Sequence, residues 1–306
     1  MKDFLKRFNI YQQERFPFIG YIFMIGAFSF SAVSYSRICR GAVGFIEWKV
    51  FLLGVFTTLT LFLLVRIFDE FKDHEDDMKY RQYLPVPRGL ITLKELFYVG
   101  AITVLLQVLV NLFFPKMFII YLVVMAYLSL MGKEFFIPKW LKEHQFWYVT
   151  SHMFIIPLVD IYASGLDWLL AGVAAPLGLL YFFGVSYMNG IVLEVGRKIK
   201  PEAKEEEGVI SYTKLLGQKG APITWLACLI GTLVFALLAA HYGGFGWQLF
   251  WVLIGLFALC ASPAIIYLMA NSPSQKIAKY IEYASALWTF GMYLSLGGIP
   301  MLMKLL

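Results

Sequence analysis

Asp69, Asp73 and Asp77 stand four residues apart in the stretch Arg66-Ile-Phe-Asp69-Glu-Phe-Lys-Asp73-His-Glu-Asp-Asp77. On a continuing helix that spacing turns all three carboxylates to one face. Like charges so placed repel unless something neutralises them. Mg²⁺ is a fitting partner, because it takes one or two carboxylates and completes its oxygen shell with substrate phosphates. The stripe therefore reads in two ways. It is a seat for a metal–diphosphate complex, or it is a solvated helix end with internal pairs such as Arg66–Glu70 or Lys72–Asp76. His74, among these carboxylates, is expected in solvent.

A second candidate lies in Tyr187-Met-Asn-Gly-Ile-Val-Leu-Glu194-Val-Gly-Arg197-Lys198. Glu194 and Lys198 are spaced for an i,i+4 salt bridge, worth roughly 0.2–0.5 kcal/mol on a helix surface. Arg197 and Lys198 could equally bind diphosphate oxygens directly. His152 and Asp160 are ionisable residues inside an apolar run, where such residues are functional hypotheses by default. Asp160 falls near the outer end of its run and is expected to face water with Tyr162 and Ser164. His152 falls nearer the cytoplasmic end, and reads either as a packing residue or as a base. No metalloprotease, Walker or nucleophile-elbow motif occurs, and Cys39, Cys228 and Cys260 share no short spacing.

The elements that must hold these residues are legible in the composition. Of 306 residues, 60% are hydrophobic and only 15% are charged, against about 25% charged in a soluble domain. Mean hydropathy is +0.70. Water is excluded as the solvent for most of the chain. Runs long enough to cross about 30 Å of hydrocarbon number nine, near 17–36, 48–70, 95–114, 117–132, 146–164, 168–194, 221–241, 247–270 and 280–302. The expected fold class is all-α: a single domain over 1–306, a polytopic bundle of nine transmembrane helices around a central cavity. The basic, polar opening MKDFLKRFNIYQQER reads as a tail. Two long charged connections, 72–93 and 197–220, cannot sit in lipid and are expected to cap the cavity. With the N-terminus in the cytoplasm, 20 Lys/Arg fall inside and 5 outside, so both loops and the cavity mouth are expected on the cytoplasmic face. The net charge of +6 then reflects this asymmetry and contact with anionic lipid, and gives no nucleic-acid footprint.

The loop after the acidic stripe reads Tyr80-Arg81-Gln-Tyr83-Leu-Pro85-Val-Pro87-Arg88-Gly89. Stripe and loop together resemble the UbiA superfamily of intramembrane prenyltransferases. That family carries Asn-Asp-x-x-Asp-x-x-x-Asp at the end of its second span and a basic Pro-x-Pro-x-Gly turn after it. Asp69 stands where the family has Asn. Tyr127-Leu-Ser-Leu-Met-Gly-Lys133 is similar to a Tyr-Pro-x-x-Lys-Arg element, and Glu206-Glu-Gly208 through Gly217 to Ala221 is similar to the family's second loop. The second half departs from the pattern: where the family has three carboxylates at i, i+7 and i+11, this chain has Tyr187, Glu194 and Lys198. The resemblance implies an enzyme with Mg²⁺ on Asp69, Asp73 and Asp77, and with Glu194 as the surviving carboxylate opposite. It implies an isoprenyl diphosphate held by Lys79, Arg81, Tyr127, Lys133, Arg197 and Lys198. The allylic cation would alkylate a hydrophobic or aromatic acceptor within the bilayer. Phe68, Phe71 and Tyr80 are candidates for stabilising that cation through their rings. A membrane terpene cyclase built on the same chemistry is the alternative, and a transporter or non-catalytic scaffold is a further one.

Overall fold

In a bilayer the backbone must satisfy its own hydrogen bonds, which leaves helices as the economical form for long apolar runs. The structure, a computed structural model, describes residues 2–306, and among them no strand occurs. Nine helices among the described residues are long and apolar enough to cross a membrane: Phe18–Cys39, Trp48–Lys72, Leu93–Leu112, Pro115–Gly132, Gln145–Trp168, Gly178–Gly196, Tyr212–Tyr242, Trp247–Met269 and Gln275–Leu305. They are called the first to ninth spans below. The sixth packs along the seventh and the first, and the first lies against the second and the fifth. One contiguous apolar core runs through them, from Phe28 and Leu61 to Trp225 and Trp288. The third, fourth and eighth spans turn bare apolar side chains outward, such as Ile102, Leu105, Ile119 and Leu259. In water these would be a liability, and in lipid they are the contact surface. Trp48, Trp140, Trp147 and Trp247 are exposed near span starts, where indole rings meet the membrane–water interface.

Several boundaries differ from the sequence expectation. The polar opening segment is a helix, Lys2–Arg15. Its Phe4, Phe8 and Tyr11 face Phe16, Ile67 and Ile91 in a small separate apolar cluster. Arg7 and Glu14 tie it down through Glu95 at 2.6 Å and Arg88 at 2.7 Å. The sixth span begins at Gly178 instead of near 168, because Gly172 at φ +72° and Pro176 keep the preceding segment out of the helix. The seventh begins early, at Tyr212, with the Ser211 hydroxyl accepting from the Lys214 amide at 3.0 Å. Its helix is broken at Gly217, at φ 78° and ψ 166°, so the apolar run proper still starts close to the expected place.

Asp160, Tyr162 and Ser164 do not face water. All three are buried. Ser186 donates to Asp160, and the Tyr162 hydroxyl donates to Asn111 at 2.8 Å. The fifth span is covered by its neighbours even toward its far end, so its polar residues find partners on other helices.

Candidate active site

Where the second and sixth spans run out into the charged connections, the bundle opens into a cavity of about 510 Å³. Eight basic side chains and six acidic ones line it, which leaves the walls with an excess of positive charge. Both connections reach it, one through Tyr80 and Arg81, the other through Gly208, Val209 and Ile210. They touch directly. Gly208 has φ +70°, and a Cβ there would fall 2.4 Å from the Tyr80 ring.

The second span ends at Lys72, Asp73 makes a turn at φ −89° and ψ 4°, and a short helix His74–Tyr80 follows. Backbone bonds Asp73 N–H to Asp69 O at 2.9 Å and Asp77 N–H to Asp73 O at 2.8 Å carry the helical pattern through the turn. The acidic stripe is therefore nearly continuous, but its three members do not share a site. Asp69 and Asp73 line the cavity. Lys72 sits between them, its ammonium 3.3 Å from Asp69 and 3.9 Å from Asp73. Asp77 is only 2% exposed and lies outside the cavity lining, paired with Arg81 at 2.5 Å. Asp76 lines the cavity in its place and pairs with Lys142 at 3.2 Å. Of the two internal pairs expected from spacing, Arg66–Glu70 forms at 3.5 Å, whereas Lys72 turns to Asp69 and leaves Asp76 to Lys142. Burial raises the Asp73 and Asp77 carboxyls above their ordinary range, in each case outweighing the nearby Lys72 or Arg81.

Across the cavity, Glu194 is buried between its own two basic neighbours. Lys198 donates to it at 2.7 Å, and Arg197 meets it through Nε at 2.7 Å. The Glu194 carboxylate is the main reason that the Arg197 guanidinium titrates above its usual range. Arg197 and Lys198 also line the cavity, so the helix-end pairs form without withdrawing either base from it. Of the other expected contacts only Arg81 lines it. Lys79 and Lys133 are exposed elsewhere, and Tyr127 donates to the Ser151 carbonyl at 2.7 Å. Of the expected aromatic rings, Tyr80 lines the cavity; Phe68 and Phe71 do not.

The cavity includes residues that the sequence did not assign to it. Arg15, from the opening helix, lines it and pairs at 2.6 Å with the buried Glu70. Arg66, Lys72, Glu134 and Tyr148 line it as well, with Lys72 donating to the Tyr148 hydroxyl at 2.8 Å. Burial raises the Glu134 carboxyl above its ordinary range. The spacing of Lys72 from Asp69, three residues on, could have revealed its pairing. No local signal connects Arg15 with a helix end 55 residues away.

A divalent cation fits part of this arrangement. Among the described residues no three Asp, Glu, His or Cys side chains are placed to hold a metal ion by themselves. Asp69 and Asp73 supply two carboxylates on one wall, which is the protein share Mg²⁺ takes when phosphate oxygens complete its shell. On the opposite wall Glu194 is already neutralised by two bases, and a second metal has no free carboxylate there.

The sequence model of the UbiA prenyltransferase family matches residues 27–296. No curated protein sequence matches the chain. A solved structure from work on digeranylgeranylglyceryl phosphate synthase in membranes superposes with a TM-score of 0.62, covering 95% of this chain and 99% of its own. At 16% identity that likeness speaks to the fold.

Proposed function

From the premise that this chain belongs to the UbiA prenyltransferase family, we propose that it transfers an isoprenyl group from an isoprenyl diphosphate to a hydrophobic or aromatic acceptor inside the membrane. The observation that carries the reading is the pairing of walls in the cavity. Asp69 and Asp73 face it from the second span, Arg197 and Lys198 from the sixth, and apolar Val65, Met131 and Ile155 line it as well. A diphosphate carries several negative charges on a long apolar chain, and this surface matches both ends of it. The excess of Lys and Arg in the loops supports a mouth on the cytoplasmic face by the positive-inside rule.

In this mechanism Asp69 and Asp73 would hold Mg²⁺, which when bound would supply neutralisation of diphosphate charge. Arg15, Arg66, Arg81, Arg197 and Lys198 line the cavity and would take the remaining charge. The allylic C–O bond breaks with its electron pair staying on the diphosphate. Fixed cations beside that oxygen stabilise the charge where it develops and need no reorganisation. Tyr80 and Tyr148 also line the cavity. The acceptor's electron pair then forms the new bond to carbon 1.

The test is incubation of purified protein with Mg²⁺, a panel of isoprenyl diphosphates and a lipid-soluble acceptor extract, with products resolved by mass. A prenylated acceptor is expected. A cyclic hydrocarbon would assign the cyclase chemistry instead, and intact diphosphates in every incubation would refute catalysis.

A further inference from the structure

Transfer to an aromatic carbon or a hydroxyl releases a proton from the acceptor, and the cavity must have somewhere for it to go. His152 lines the cavity on the fifth span, one turn deeper than Tyr148, and is 5% exposed. Its Nδ1 is 2.8 Å from the Tyr148 carbonyl oxygen. A carbonyl oxygen only accepts, so Nδ1 carries the hydrogen, and the neutral ring has its lone pair on Nε2. That Nε2 is buried and has no hydrogen-bond partner. The ring is clamped: it stacks on Tyr148 with centroids 4.0 Å apart and meets Phe135 edge-on at 5.9 Å. Because Nδ1 is tied back to its own helix, Nε2 at the other side of the ring points away from it.

The surrounding charges leave Nε2 as an unclaimed base. Lys72 and Asp69 of the second span and Glu194 of the sixth exert their charge on it, and Tyr148 lies on its own helix. Asp69 is engaged by Lys72, and Glu194 by Arg197 and Lys198. Glu134 lines the same cavity from the connection after the fourth span, within the field of Lys72 and Lys142. His152 also neighbours Met153 and Ile155 along the lining. It sits where the charged and apolar parts of the lining meet, and on the prenyl-transfer reading carbon 1 of the isoprenyl chain would lie there.

We propose that His152 is the general base of the transfer, accepting on Nε2 the proton that the acceptor loses. The inference rests on the prenyl-transfer reading above. As the acceptor's electron pair bonds to carbon 1, its C–H or O–H pair stays with the acceptor, and the proton passes to Nε2. The resulting imidazolium returns the proton to water at the cavity mouth before the next turnover. No other reactant is consumed.

Two variants test it. His152→Asn keeps a donor for the Tyr148 carbonyl and deletes Nε2, whereas His152→Gln places an amide near the Nε2 position. Both are compared with wild type for isoprenyl diphosphate binding, diphosphate release and acceptor prenylation, in the same samples. Expected for both is binding within twofold of wild type and continued diphosphate release. Acceptor prenylation falls about 100-fold or more, the usual contribution of a positioned base, and isoprenyl alcohol from water capture replaces the product. Acceptor prenylation at the wild-type rate in either variant that binds the diphosphate normally overturns the assignment. Loss of diphosphate binding in both variants also overturns it, by making His152 a structural residue. A wild-type protein that releases no diphosphate refutes the transfer reading itself, which separates the two failures.

Discussion

At the scale of single residues, metal and diphosphate binding depend on which carboxylates remain available once every base has chosen a partner. Asp73 is the most telling. Asp73→Ala is expected to lower turnover by about 100-fold or more, the scale of removing one transition-state stabiliser, while the protein stays folded in detergent. Full turnover in that variant, or in EDTA, would refute the metal assignment. Its raised carboxyl also has a thermodynamic signature. A carboxyl whose folded value exceeds its unfolded one contributes stability that is present below the unfolded value, about 3.9 for Asp, and is lost as pH rises through the folded one. Metal-free Asp73→Asn should therefore melt at the wild-type temperature in acid and above it at neutral pH, with the gap closing when Mg²⁺ is added. A gap of the same size at every pH would contradict this. On the opposite wall, Lys198→Ala is expected to weaken isoprenyl diphosphate binding by about 1.5–3 kcal/mol, the net worth of a charged hydrogen bond. An unchanged affinity, with only a few tenths of a kcal/mol lost in stability, would leave Lys198 as the partner of Glu194 alone. The spacing of the acidic stripe was readable from the chain, and so was the Glu194–Lys198 pair. The exclusion of Asp77 was not, because it depends on Arg81 folding back four residues to bury it.

At the scale of elements, the two charged connections are proposed to cap the cavity, and Gly208 is where they meet. A valine there would be forced into a left-handed backbone, at roughly 1–2 kcal/mol, and its side chain would strike the Tyr80 ring. Gly208→Val should raise KM for the isoprenyl diphosphate by about tenfold, the equivalent of 1.4 kcal/mol, and an unchanged KM would show that the cap plays no part in binding. The far end of the bundle supplies a contrast. Asp167, buried at the end of the fifth span, accepts from Arg37 at 2.8 Å and Arg40 at 2.6 Å and from Ser36 at 2.8 Å. Asp167→Asn should cost up to about 3 kcal/mol, the lower end for a broken buried pair because both arginines keep some access to water. Melting temperature should fall and diphosphate affinity should not; a parallel loss of affinity would mean that the two ends are coupled. The count of spans was legible because length and apolarity suffice for it. Their exact ends were not, because Gly172, Pro176 and Gly217 stop helices inside runs that remain apolar. The opening helix was not legible for a related reason: its apolar residues are few, and they find their partners in the first three spans and the loop after the second.

At the scale of the whole molecule, the proposed orientation rests on charge and the proposed reaction on the cavity. With 20 Lys/Arg assigned inside and 5 outside, single cysteines placed at Lys79 or Lys204 should resist impermeant labelling in sealed cells, and labelling at either would overturn the orientation. The family and the all-helical architecture could be read from motifs that are local in the chain. The composition of the cavity could not, since Arg15, Arg66, Lys72, Tyr148 and Arg197 come together only when the opening helix and three spans are packed. Equilibrium titration of the purified protein with a non-reactive isoprenyl thiodiphosphate, with and without Mg²⁺, reaches the central claim most directly. The expected result is binding at a single site that requires Mg²⁺, is abolished by Asp73→Ala and is weakened about tenfold or more by Lys198→Ala. The contradicting result is binding of equal strength in wild type and both variants, which would place the diphosphate somewhere other than this cavity.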